Sequence, residues 1–296
     1  MTTSYIGRFA PTPSGLLHFG SLVAALASYL DARHADGQWL LRIEDLDQTR
    51  SQPDAERQIL QALEDFGLEY DGTPVRQSER LELYRAQTER WLEQGLAYYC
   101  DCPRRALLEH GPVYPGTCSR RHLGARADHA VRVRVIDQPI TCHDRLQPPL
   151  TQNLARELGD FIIRRRDGVY AYQLAVVLDD IDQAITDVVR GADLLDSTPR
   201  QIWLYRLLGQ PAPRYLHVPL IMREDGEKLS KRLGSAPLRA DQAPHTLWRA
   251  LRALAQPIPT DLCGAPVAQQ LAWAIAHWQP DRLPATAHIM EHSLCD

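Results

Sequence analysis

Lysine is nearly missing from this chain of 296 residues: among 33 basic residues only Lys228 and Lys231 are lysines, and every other one is arginine. Long apolar runs are missing as well. No stretch nears the roughly 18 apolar residues of a membrane-spanning helix, and Met1–Ser4 leads straight into a strand-like segment without the basic start and apolar core of a signal peptide. A soluble, cytoplasmic protein is therefore expected. Six cysteines are too few for a disulfide scaffold in a chain of this length. Three of them, Cys100, Cys102 and Cys118, fall close together and suggest a metal site, whereas Cys142, Cys263 and Cys295 read as ordinary thiols.

What is present is ample apolar content, 44%, for a sizeable core, and a length that suggests roughly two domains. The formal net charge of −4 excludes a chain coated in positive charge, but the charge is unevenly spread. Residues 1–99 carry 9 Arg/Lys against 15 Asp/Glu, residues 100–170 carry 12 against 8, and residues 171–296 carry 12 against 14, giving nets of −6, +4 and −2. The basic middle includes Arg104, Arg105, Arg120, Arg121, Arg126, Arg132, Arg134 and the run Arg164–Arg166. Such residues suit nucleic-acid phosphates or, equally, a solvated face.

Tyr5–Ala10 reads as a strand, a Pro/Gly loop follows, and Leu22, Leu26, Tyr29 and Leu30 recur at helical spacing. Trp39–Ile43 reads as a second strand ending on Glu44-Asp45, Pro53–Phe66 as a helix, and Ser78 as the cap of another helix that ends before Gly95. This alternation predicts a parallel α/β sheet, whose ligands bind at the carboxyl ends of the strands, where Arg8 and Glu44 stand. A stretch rich in cysteine, proline and arginine, with the strand-like Val131–Ile136, then reads as an insertion. Val169–Leu178 and Ile185–Arg190 resume the apolar pattern, Thr198-Pro199 opens a helix, Tyr215–Met222 reads as a last strand, and the residues beyond Leu238 read as helical.

Two segments carry chemistry. Gly7 to Ser21, containing Arg8-Phe9-Ala10-Pro11-Thr12-Pro13-Ser14-Gly15 and His18-Phe19-Gly20-Ser21, bridges a strand and a helix. Its glycines allow close approach to a phosphate, the helix start offers free N–H groups, and His18 can donate to a phosphoryl oxygen. The second, Lys228-Leu229-Ser230-Lys231-Arg232, follows the turn Asp225-Gly226. In a chain that otherwise uses arginine, two lysines this close imply a need for a compact, mobile ammonium, which suits migrating phosphates.

Together these segments resemble the paired HIGH and KMSKS signatures of class I aminoacyl-tRNA synthetases, in the right order and about 210 residues apart. The wording around the first, with Leu41-Arg42-Ile43-Glu44-Asp45-Leu46-Asp47 and Arg50, is similar to the glutamyl and glutaminyl branch, and the resemblance covers nearly the whole chain up to Arg232. It implies an α/β Rossmann-type catalytic domain over 1–96 and 171–237, a zinc-containing, RNA-binding insertion over 97–170 and a short helical C-terminal region over 238–296. The implied reaction is activation of L-glutamate with ATP, accompanied by Mg²⁺, to glutamyl-adenylate without tRNA. His18, Gly20, Ser21, Lys228, Ser230 and Lys231 would hold ATP, His18 and Lys231 being the catalytic pair. Arg8 and Arg190 suit carboxylate recognition and Glu44 the ammonium, with Thr12 and Tyr172 completing the pocket by the family pattern. Thr12 stands where many relatives have serine, but the hydroxyl is kept.

Three thiols are one ligand short of a tetrahedral zinc site. General ligand chemistry favours His122 as the fourth, while the short relatives of this branch have a Cys-x-Cys, Tyr and Cys arrangement that points to Tyr114. Tyr114 is taken here as the ligand, with His122 in reserve. Only 64 residues follow Arg232, too few for the usual anticodon-binding domain of about 100–150 residues. The implied acceptor is therefore that of the truncated relatives, queuosine in the anticodon of tRNA(Asp). The alternatives are charging of the tRNA 3′ end, nucleotidyl transfer to a small metabolite, and a non-catalytic RNA-binding paralogue.

Overall fold

The computed structural model describes residues 4–49, 51–103, 105, 111–223 and 237–290. In chain order, β1 (Ile6–Phe9), α1 (Phe19–His34), β2 (Gln38–Ile43), α2 (Ala55–Asp65) and β3 (Val75–Arg76) form the first alternating stretch, and a short 3₁₀ turn at Gln77–Arg80 leads into α3 (Leu81–Glu93). Then come β4 (Ala97–Cys100), β5 (Ala130–Val133), β6 (Pro139–Cys142), β7 (Leu150–Asn153) and β8 (Phe161–Arg164). Alternation returns with α4 (Tyr172–Asp182), β9 (Asp187–Gly191), α5 (Thr198–Leu207), β10 (Arg214–Val218) and β11 (Leu220–Met222), followed by α6 (Ala243–Ala253), α7 (Val267–Ala276) and β12 (His288–Met290).

The strands β1, β2 and β3 pair in parallel, as do β9 and β10. Thr186 joins the two pieces: its N–H donates to Ile6 O and its Oγ1 accepts from Ile6 N–H, both at 2.9 Å. That contact sets β9 beside β1, so the strands run β3-β2-β1-β9-β10. Helix α1 is apolar on nearly every face, with Leu22, Val23, Leu26 and Leu30 almost wholly buried, because it lies between the strands β1, β2 and β9 on one side and α6 and α7 on the other. A second core, around Tyr84, Trp91, Val131, Ile163 and Leu174, joins α3 and α4 to the antiparallel sheet β4-β5-β8. Strands β6 and β7 form a separate antiparallel pair.

Three expectations change. Pro219 lacks an N–H and breaks Tyr215–Met222 in two: β10 pairs with β9, while β11 pairs in parallel with β12. The C-terminal region is thus not wholly helical. Ser78 does not cap a helix with its own hydroxyl; its N–H and Oγ–H donate to Asp45, at 2.8 and 2.6 Å, so the acid fixes the turn instead. Among the described residues no helix is long and apolar enough to cross a membrane.

Candidate active site

A cleft of about 790 Å³ opens at the carboxyl ends of the parallel strands, lined there by Phe9, Ala10, Glu44, Gly191 and Pro219. Arg8, Thr12, His18, Gly20, Ser21, Glu44, Tyr172 and Arg190 all line it, so residues scattered over 182 sequence positions converge on one space. Lys228, Ser230 and Lys231 lie outside the described residues, as do Arg50 and Arg104. The chain on either side of the lysine segment does reach the cleft. Leu220 and Ile221 line it before, and after it Pro237 pairs with His18 while Leu238 N–H donates to Leu17 O at 3.1 Å.

The acid end is organised by charges the sequence reading did not single out. Arg42, wholly buried in β2, donates from Nη2 to Asp180 Oδ1 at 2.7 Å and from Nη1 to Gln183 Oε1 at 2.7 Å. Arg8 donates from Nε to the same Asp180 oxygen at 3.1 Å, and among the described residues this is the only hydrogen bond of its side chain, while its backbone carbonyl accepts from Ser28 Oγ at 3.1 Å. Burial would raise the Asp180 carboxyl, but Arg8 and Arg42 outweigh it and hold it below the usual range. Glu44 is different. Among the described residues its Oε1 is buried without a hydrogen-bond partner, 3.6 Å from Arg42 Nη2, and burial pushes the carboxyl up to about 7 against the pull of Arg42 and Arg8. A buried acid in this condition is satisfied by a cationic donor.

His18 stands at the N-cap of α1 with extended backbone, and its Nδ1 accepts from Ser21 N–H at 3.2 Å. In the neutral ring the proton is then on Nε2, which lies 3.1 Å from Ser21 Oγ. The histidine thus offers a donor at the cleft. A Cβ at Gly20 would come within 3.3 Å of His18 Cε1 and Nδ1, so glycine keeps the ring where it is.

Arg190, at the end of β9, is 5% exposed and has no carboxylate partner among the described residues. Its Nε donates to His217 Nε2 at 2.9 Å, its Nη2 to Thr198 Oγ1 at 3.0 Å and Gln201 Oε1 at 2.8 Å, and its Nη1 to Tyr172 OH at 3.3 Å. Behind it, His217 Nδ1 is 2.6 Å from Asp144 Oδ2.

The second candidate site is the cysteine knuckle. The Sγ atoms of Cys100, Cys102 and Cys118 lie within 4.8 Å of one another, with 3.4 Å between Cys102 and Cys118. Tyr114 OH lies 3.5 Å from Cys100 Sγ and 3.7 Å from Cys102 Sγ, and accepts from Cys118 N–H at 3.0 Å. A tetrahedral ion with ligands at about 2.0–2.3 Å separates them by about 3.5–3.8 Å, so this donor set fits one zinc ion. His122 is exposed, and its ring is not among the converging groups. Burial raises the Cys100 thiol, yet the hydrogen bonds from Tyr114 and Arg132 outweigh it and leave it lowered, whereas burial and the neighbouring Cys118 push Cys102 up to about 12. Arg132 therefore serves the cysteines rather than a phosphate: Nε donates to Cys100 Sγ at 3.3 Å and the guanidinium lies 3.7 Å over the Tyr114 ring. Several other arginines of this region are paired with acids, Arg121 with Asp101, Arg165 with Asp47 and Asp167, and Arg166 with Asp128, while Arg105, Arg120 and Arg126 are exposed.

Residues 6–112 and 119–247 match the family described as tRNA synthetases class I (E and Q), catalytic domain. Proteins called glutamyl-Q tRNA(Asp) synthetase from Pseudomonas fluorescens and Pseudomonas aeruginosa are 58% and 57% identical to this chain; the matches cover 99% of it in both cases, and 98% and 100% of those proteins. A glutamate tRNA ligase from Elizabethkingia meningosepticum, solved in complex with its amino acid, is similar at a TM-score of 0.82 and 25% identity over 97% of this chain and 67% of that one. Glutamate-tRNA synthetase from Elizabethkingia anophelis is similar at 0.81 and 25% over 98% and 69%. The family match runs through the strands that build the cleft on both sides of the cysteine knuckle, and the chain belongs to the class I tRNA synthetases for glutamate and glutamine.

Proposed function

We propose that the protein is an ATP-dependent ligase that activates glutamate as glutamyl-adenylate without tRNA and transfers the glutamyl group to queuosine in the anticodon of tRNA(Asp). The observation that carries the first step is the buried carboxylate oxygen of Glu44, which has no hydrogen-bond partner among the described residues and lines one cleft with Arg8 and Arg190. Glutamate complements this arrangement: its ammonium satisfies Glu44, and its side-chain carboxylate satisfies the arginines with Tyr172 and Thr12 beside them. The α-carboxylate then attacks the α-phosphorus of ATP and pyrophosphate leaves. Charge grows on the phosphoryl oxygens, where the Nε2–H of His18 donates and the ammonium of Lys231 is assigned the same task. Mg²⁺ would accompany the phosphates, so that catalysis rests on positioning and electrostatics rather than on a covalent enzyme intermediate.

A queuosine hydroxyl next attacks the adenylate carbonyl and AMP leaves. Relatives at 57–58% identity over almost their full length, named for tRNA(Asp) and Q, support this acceptor. Zinc on Cys100, Cys102, Tyr114 and Cys118 would be structural, tying β4 to the turn that follows it. Exposed Arg105, Arg120 and Arg126 are suited to the RNA backbone. The test of activation is ATP–pyrophosphate exchange across amino acids without tRNA: exchange is expected with glutamate alone, and equal exchange with glutamine would sink the assignment.

A further inference from the structure

We infer that His217, held by Asp144, is the positioning residue that aims Arg190 at the side-chain carboxylate of glutamate and so sets the preference for glutamate over glutamine; this rests on reading Arg190 as a glutamate-binding residue. A guanidinium has five N–H groups and no acceptor. In Arg190 the Nε–H is taken by His217 and the two Nη2 hydrogens by Thr198 Oγ1 and Gln201 Oε1, with the Leu194 carbonyl a more distant third acceptor at 3.4 Å; all are neutral, and Nη1 faces Tyr172 OH through a longer contact of 3.3 Å. The charge is buried, and Arg190 and the Tyr172 that its Nη1 faces both line the cleft.

The histidine can do this in only one form. Because Arg190 Nε–H is a donor, His217 Nε2 must present its lone pair, so the proton sits on Nδ1 and is donated to Asp144 Oδ2 at 2.6 Å. Asp144 is fixed in turn: its Oδ1 accepts from the backbone N–H of Leu146 and Gln147, both at 2.9 Å, and of His217 at 3.2 Å. The wrong tautomer, or a doubly protonated ring, would aim an N–H at an N–H and turn the guanidinium away. The groups facing His217 are Asp144 after β6, Arg190 on β9, Thr198 on α5, Arg8 on β1 and the stacked Tyr215 ring at 6.0 Å. Neutrality has its own support: burial, with Arg190 and Arg8 nearby, lowers the ring below its usual value despite Asp144.

Isosteric substitutions separate aiming from filling. In Asp144→Asn the amide can donate to Nδ1 and force the proton onto Nε2. His217→Asn removes the acceptor for Arg190, while His217→Gln can place an oxygen where Nε2 was. In pyrophosphate exchange, Asp144→Asn and His217→Asn should raise the KM for glutamate about 10- to 100-fold, the scale of a hydrogen bond to a charged group. The KM for ATP should move by less than about twofold, the glutamate-to-glutamine preference should shrink, and His217→Gln should recover part of the loss. Native-like thermal unfolding of each variant is required, and if His217→Asn does not fold, the near-isosteric Asp144→Asn carries the comparison. Nitrogen NMR of the histidines, assigned through His217→Gln, should place the wild-type proton on Nδ1; a proton on Nε2 would overturn the inference. So would folded Asp144→Asn and His217→Asn with unchanged glutamate KM, provided Arg190→Gln loses glutamate. An unchanged KM in Arg190→Gln would instead overturn the reading of Arg190 beneath it.

Discussion

The acid end of the cleft and the cysteine knuckle both bring buried polar groups together, but they are built in opposite ways. In the cleft the side chains are held by the protein alone: Asp180 fixes Arg8 and Arg42, and His217, Thr198 and Gln201 fix Arg190. Two large apolar cores stand behind them. In the knuckle the only core is Tyr98, Cys100, Tyr114, Cys118 and Ala130 with a few partly buried neighbours, too little apolar surface to order a loop unaided. A transient ligand demands a site that is rigid without it, whereas a permanent ion can itself supply the rigidity.

The comparison breaks most visibly through the metal. Chelation, or Cys118→Ser, should remove one zinc per chain and with it the hydrogen-exchange protection of β4 and the segment up to Arg121, while β1, β2 and β9 keep theirs. Loss of protection throughout would mean that the cleft also depends on the ion. The next effect is on chemistry: Lys231→Ala should cut glutamate-dependent pyrophosphate exchange by roughly 10²-fold or more, the scale of losing one transition-state electrostatic partner. Unchanged exchange would remove Lys231 from catalysis.

Glu44 sharpens the contrast because its buried Oε1 has no hydrogen-bond partner among the described residues. Its carboxyl is raised from 4.5 to about 7, so folding is not penalised where both states are protonated, the penalty grows as pH rises between those values, and it is fully present above about 7. Glu44→Gln should therefore stabilise the fold at pH 8, by no more than about 3 kcal/mol, and do so much less at pH 5.5, raising the unfolding temperature accordingly while abolishing glutamate-dependent exchange. Destabilisation at pH 8 would contradict the account. For the wild type, the KM for glutamate should rise as pH falls below about 7, because a protonated Glu44 cannot pair with the ammonium. The smallest effect concerns the fourth zinc ligand: Tyr114→Phe should weaken zinc affinity with the fold retained. Full affinity in Tyr114→Phe together with loss in His122→Ala would restore the reserve ligand.

Local chemistry made part of this legible from sequence. A glycine-rich turn between strand and helix pointed to His18 and Gly20, and a strand ending on an acid pointed to Glu44, all of which line the cleft, whereas Lys228 and Lys231, singled out as two lysines in an arginine chain, lie outside the described residues. What sequence did not reveal is who pairs with whom. Asp180 meets Arg8 and Arg42 across 172 and 138 positions, and Asp144 meets His217 across 73; the faint signals were acids in the apolar helix α4 and a histidine inside the buried strand β10. The same blindness made Arg132 look like a phosphate ligand when it lies against Cys100, and hid that Pro219 hands the chain from β10 to a second strand pair.

The most direct test of the central claim is transfer of labelled glutamate to tRNA(Asp) whose 3′-terminal adenosine has been removed, compared with and without queuosine. The account predicts labelling of the shortened tRNA only when queuosine is present. Complete loss of labelling on removal of the 3′ adenosine, together with labelling of intact tRNA that lacks queuosine, would contradict it and assign the chain to charging of the 3′ end.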